Sequence, residues 1–206
     1  MKFFLKLGFV GLLFSQGFWG NEWPMPKIEY KPKTYVCYKT STPIKMDGKL
    51  DDEAWKTATW TDLFVDIEGR LKPKPFYDTK LKMLWDDQFF YFGVDMEEPH
   101  VWAKLRQRDT VIFKDNDFEI FLDPDGDTHN YYELEVNAFE TEWDLLLLKP
   151  YHNANKVAVD SWDIPGLITK VFVDGTLNNP KDRDKGWSVE IAIPWKALIN
   201  NYRSNN

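Results

Sequence analysis

The sequence predicts an all-β fold, an antiparallel β-sandwich with jelly-roll-like, immunoglobulin-like layers and one or two short helices. Apolar residues recur with a period of two in many short stretches, which is the pattern of half-buried strands. Turn signals rich in Asp, Asn, Gly and Pro separate those stretches. Only two places carry a helix start, one after Asp51 and one at Pro194. Many short strands with few helices pack best as sheet on sheet.

The stretch that organises the chain is Lys114 to Asn137, KDNDFEIFLDPDGDTHNYYELEVN. It predicts two strands joined by an acidic turn. Phe118, Ile120 and Leu122 alternate with Glu119, Phe121 and Asp123, and Tyr132, Leu134, Val136 and Ala138 alternate with Tyr131, Glu133, Glu135 and Asn137. Successive strand side chains point to opposite faces, so one face is apolar and the other gathers acids, an amide and two rings. That second face has two readings: solvated acids on an exposed sheet, or a surface whose carboxylates and amide bond hydroxyls while its rings stack on flat apolar ligand faces.

The remaining elements follow in order. MKFFLKLGFVGLLFSQGFWG at the start has lysines flanking a short apolar run and small residues after it, so residues 1–20 read as a secretory signal peptide. The chain is therefore expected to be exported: periplasmic, cell-surface or secreted. Residues 21–33, with Pro24, Pro26 and Pro32, read as a linker or lead-in, and residues 34–206 as the sandwich domain. Tyr35 to Lys39 predicts a short strand. Asp47-Gly48 marks a turn, Asp51 a helix N-cap, and Trp55 the residue that folds a short helix onto the core. Trp60 to Ile67 reads as a strand or loop edge.

Tyr77 to Met96 predicts a hairpin turning at Asp86-Asp87-Gln88, with a second strand apolar enough to be buried on both faces. Val101 to Phe113 has no clear period. Glu142 to Leu148 predicts a strand, Pro150 to Gly166 an irregular surface segment, and Leu167 to Asp174 and Gly186 to Ile193 two more strands. Pro194 suits the first residue of a short helix through Leu198.

Composition narrows the function. The formal charge of -7 disfavours nucleic acid and anionic membrane surfaces as partners. Beyond the signal segment no apolar run approaches roughly 18 residues, so no membrane partner is expected after its removal. Cys37 is the single cysteine, which excludes an internal disulfide. The sequence has no glycine-rich phosphate loop, CxxC or HExxH, and Ser41, Ser161 and Ser188 lie in no nucleophile elbow. Paired carboxylates, as a glycosidase needs, occur in any acidic chain and carry little weight. Asp123, Asp125 and Asp127 alternate around Asp123-Pro-Asp-Gly-Asp127, which suits a plain hairpin turn and also a hard cation. No cofactor is required, and a structural calcium at these aspartates is the one the pattern admits.

Five segments, in order, resemble family 9 carbohydrate-binding modules. They are Ile44 to Trp55; Lys80 to Asp95, with LKMLWDDQFFYFGVD; the acidic strand from Asp115 to Pro124, ending EIFLDP; Tyr131 to Asn137; and WSVEIAIPWKAL from Trp187 to Leu198. The resemblance implies a non-catalytic domain that binds an oligo- or polysaccharide, often beside a glycoside hydrolase in polysaccharide breakdown. It places Glu119 and Asn137 on residues that bond sugar hydroxyls. Phe113 falls where the family has a clamping tryptophan, and Glu135 where it has an arginine, so the ring is kept and the charge is reversed. Trp143, or Trp102, is a further candidate for stacking. The second clamping ring belongs to a later segment, so the resemblance implies a C-terminally incomplete chain. The alternatives are an accessory domain or fragment of a glycoside hydrolase, and a structural sandwich that has lost its sugar.

Overall fold

The structure, a computed structural model, describes residues 32–153 and 156–198. The expected signal peptide and most of the lead-in, residues 1–31, lie outside the described residues, as do residues 199–206. The chain divides after Thr34, and the unit described here begins at Tyr35.

In chain order the strands are β1 (Tyr38–Lys39), β2 (Thr79–Trp85), β3 (Phe89–Glu97), β4 (Asp117–Leu122), β5 (Tyr131–Asn137), β6 (Glu142–Leu147), β7 (Ala158–Val159), β8 (Ile168–Asp174) and β9 (Gly186–Pro194). One sheet runs β1-β2-β3-β9-β8 and the other β4-β5-β6-β7. Every pairing is antiparallel except β1 with β2. The fold is the expected sandwich of two sheets.

Period-two alternation builds the core between the sheets. Phe92, Val94 and Met96 of β3 and Trp187, Val189, Ile191 and Ile193 of β9 meet Phe118 and Ile120 of β4 and Tyr132, Leu134 and Val136 of β5. Burying each such side chain contributes about 1.5–3 kcal/mol.

The first sheet is covered on its other face too. A short helix α1 (Glu53–Thr57) brings Ala54 and Trp55 down on Leu84, Tyr91 and Ala192. This is why β3 is apolar on both faces. Gly93 makes the approach possible, since a Cβ there would lie 2.7 Å from Leu50 Cδ2 and 3.0 Å from the Trp55 ring. Glu190, wholly buried, fastens this layer: one carboxylate oxygen accepts the Asp47 and Gly48 backbone N–H groups, both at 2.8 Å, and the other accepts Trp55 Nε1 at 2.7 Å.

Local details differ from the sequence expectation. The residue at the helix start is Asp52, not Asp51, and it makes no side-chain cap. Its carboxylate instead accepts the Lys45 N–H at 2.8 Å, closing the preceding turn. Trp60 to Ile67 is no strand; Thr61 and Phe64 donate their N–H groups to Leu81 and Thr79, so this segment runs along the β2 edge. Pro150 to Gly166 contains a 3-10 turn (Tyr151–Asn153) and the two-residue β7, which pairs with β6. Pro194 ends β9 and the helical residues start at 195. Cys37 is half-buried and unpaired, and burial pushes its thiol up to about 11.

Candidate functional site

The site is the face of the second sheet that points away from the core. Asp117 pairs with Asn137, Glu119 with Glu135 and Phe121 with Glu133 across β4 and β5. Glu135 then pairs with Trp143 and Glu133 with Leu145 across β5 and β6. Their alternates Phe118, Ile120, Leu134 and Val136 fill the core. The acids, rings and leucines of the other set therefore share one surface.

This face is not an open, solvated one, because two chain segments fold over it. The 3-10 turn Ile112–Lys114 crosses it, and the Phe113 N–H donates to Glu135 Oε2 at 2.8 Å. The Phe113 ring lies against Trp143 with centroids 6.2 Å apart. From the other side the Tyr151 hydroxyl donates to Glu133 Oε2. Glu133 and Glu135 are left 4% and 1% exposed. Phe113, Phe121 and Tyr151 stay about half exposed around them, and Glu119 is exposed.

Like charges crowd here in a partly dehydrated place. Burial, aided by neighbouring Glu119 and Asp115, pushes the Asp117 carboxyl up to about 7. Burial, aided by Asp117, pushes Glu135 up to about 8. Burial also raises Glu133, opposed by its bond from Tyr151, and partial loss of hydration raises Glu119 as well. Two enclosed polar atoms lack a partner on this surface, Asp117 Oδ2 and Trp143 Nε1. Glu119, Asp117 and Glu135 bring carboxylate oxygens within 4.8 Å of one another.

The structure thus brings Phe113, Glu119, Glu135 and Trp143 together. Asn137 is on the same face but fully buried, and its amide is already spent. Its Nδ2 donates to Leu105 O and Asp115 Oδ2, and its Oδ1 accepts the Phe139 and Thr141 N–H groups. It holds the β5–β6 turn and the 105–115 loop in place rather than presenting a group outward. Asp123, Asp125 and Asp127 gather at the β4–β5 turn, with oxygens within 4.8 Å of one another. Asp123 accepts the Gly126 and Thr128 N–H groups and Asp127 that of His129, so the turn is held by its own backbone.

Asp117 and Tyr151 are the site members that the sequence reading did not single out; Glu133 was placed on this face but not among the named binding residues. Asp117 had a signal, because it precedes Glu119 by one strand period. Tyr151 had none, since its contact depends on the path of an irregular loop.

Known proteins give this geometry a family. Residues 46–206 match the sequence model described as "Carbohydrate family 9 binding domain-like". Exoglucanase XynX of Acetivibrio thermocellus is 22% identical over 173 residues, covering 82% of this chain and 13% of that protein. Endo-1,4-beta-xylanase A of Thermoanaerobacterium saccharolyticum is 23% identical over 162 residues, covering 76% of this chain and 11% of that protein. The chain thus spans only a small part of the length of these relatives. Among solved structures, a family 9 carbohydrate binding module from Caldicellulosiruptor kristjanssonii in complex with glucose shares the fold, with a TM-score of 0.50 and 20% identity over 78% of this chain and 68% of that one. With the profile running through both sheets, the chain belongs to the carbohydrate family 9 binding domain-like family.

Proposed function

We propose that this domain binds carbohydrate without cleaving it, as an exported part of the machinery of polysaccharide breakdown. The observation that carries this reading is the covered face of the second sheet. There the exposed carboxylate of Glu119 stands beside the buried Glu135, between the Phe113–Trp143 pair and Phe121. Carboxylates bond hydroxyls, and rings stack on the apolar face of a pyranose. The names of its relatives, an exoglucanase and a xylanase, support a partnership with a glycoside hydrolase, in the same chain or another. No described helix is long and apolar enough to cross a membrane.

Calorimetric titration with a panel of neutral and charged oligosaccharides tests this. Saturable heat from at least one sugar is expected, with an affinity in the micromolar to millimolar range, about 4–8 kcal/mol. Glu119→Ala should weaken it about tenfold while leaving the circular dichroism spectrum unchanged. A folded protein that binds no sugar in the panel overturns the reading. Asp123, Asp125 and Asp127 also offer oxygens to calcium. A melting temperature that rises with calcium, falls back with chelator and no longer responds in Asp125→Asn would place the ion there; equal temperatures would remove calcium from the account.

A further inference from the structure

We propose that the site takes a sugar carrying a free amine, so that its ligand is cationic rather than neutral; this rests on the carbohydrate reading above. Asp117, Glu119, Glu133 and Glu135 lie on one face of two neighbouring strands, with Glu119 directly opposite Glu135. Like charges directly opposite one another in a sheet destabilise it. Among the described residues no lysine or arginine makes an ion pair with any of the four.

The fold treats several other acidic groups differently. The cluster of Asp144 and Asp163 with Glu142 is bridged by Arg108, which reaches all three. The buried Glu190 is satisfied by two backbone N–H groups and an indole, and Glu98 by Asn116 and Trp187. Among the described residues two carboxylate oxygens lie enclosed without a donor, Asp182 Oδ1, whose other oxygen accepts the Thr176 hydroxyl, and Asp117 Oδ2 on the candidate face, where the neighbouring Glu119 accepts no hydrogen bond either. What is missing is a positive donor, and nothing in the described chain supplies it.

The rings point the same way. Phe113 and Trp143 pair on one side of the acids, and Phe121 and Tyr131, with centroids 6.5 Å apart, on the other. An ammonium is attracted to ring faces as well as to carboxylates, whereas a neutral hydroxyl bonds a carboxylate but brings no charge to it and gains little from the rings. A primary amine on a pyranose offers both contacts at once, with the sugar ring left to stack. The carboxyls then act as a selectivity filter, because an ammonium favours their ionised form and a neutral sugar does not.

The test is calorimetry on the full chain with three sets of oligomers of equal length: β-1,4-linked glucosamine, its N-acetylated counterpart, and cello-oligosaccharide. Each is run with chelator and with calcium. The glucosamine oligomer should bind at least tenfold tighter than either neutral set, and the advantage should shrink as sodium chloride is raised. Glu119→Gln should abolish the preference; this side chain is exposed and unbonded, so the variant folds. Asp117→Asn serves as a second variant with unchanged shape. Equal or tighter binding of the neutral sugars overturns the proposal while leaving the carbohydrate reading intact. Binding of any sugar only in the presence of calcium also overturns it, assigning the carboxylates to a metal instead. No binding of any set in any buffer overturns both.

Discussion

Glu190 and Glu119 have the same side chain and opposite circumstances. Glu190 is wholly buried with three donors on its two oxygens, and Glu119 is exposed with none. Removing Glu190 strands two backbone N–H groups and an indole N–H in the interior. Each buried donor left unpaired costs about 1–3 kcal/mol, so Glu190→Ala should destabilise the domain by at least 3 kcal/mol in urea titration, on the order of what separates folded from unfolded in marginal domains. A loss near zero would mean that the α1 layer is held by packing alone. Glu119→Ala removes no internal bond, and its effect should appear in binding and not in stability.

At the scale of elements, the layer from Ile44 to Ala58 and the turn around Phe113 are both loops fastened to strands by a strand carboxylate. Their legibility in the sequence differed. The period-two pattern from Phe118 to Asn137 fixed which residues share the outer face, because register follows directly from alternation. It missed Asp117 because the strand begins one residue earlier than the apolar pattern does. The position of Asn137 on that face was legible, but its neighbours were not. Its amide is consumed by Leu105, Asp115, Phe139 and Thr141, contacts between segments that no local pattern reveals. The same holds for Tyr151 over Glu133. For α1 the crucial residue is Gly93, far along the chain on β3, whose missing side chain admits Leu50 and Trp55. Gly93→Ala should lift the layer and cost about 1–3 kcal/mol, an overpacking penalty, measured as a lower melting temperature. A variant as stable as the parent would show that the layer shifts freely.

For the molecule as a whole, the acidic balance of -7 is not simply surface charge. Many carboxylates are internal fasteners, and they fall into two groups by pH response. The carboxyls of Asp86 and Asp184 lie below their ordinary values: at Asp86 the bonds from Gln88, Phe89 and Tyr91 outweigh its burial, and at Asp184 the Thr176 and Val101 N–H groups dominate. Their stabilisation is present above the unfolded carboxyl range and lost as pH falls through their folded values. Asp117 and Glu135 are raised to about 7 and about 8, chiefly by burial. Their stabilisation is fully present below the unfolded range and lost as pH rises toward those values. Stability should therefore peak near pH 4–5, at about the unfolded carboxyl pKa, and decline by several degrees of melting temperature toward pH 8. In Asp117→Asn the decline on the alkaline side should flatten. An unchanged slope would show that these carboxyls ionise as freely in the folded state as in the unfolded one.

The turn that carries Phe113 is tied to the sheet through its backbone N–H and the Glu135 carboxylate, not through the ring. The side chain at that position is therefore uncoupled from the anchor that places it. Such a position can drift over generations, or be randomised in a display library together with 143, with the scaffold kept and only the choice of guest rewritten. The ring at 113 is a removable fitting on a fixed mount.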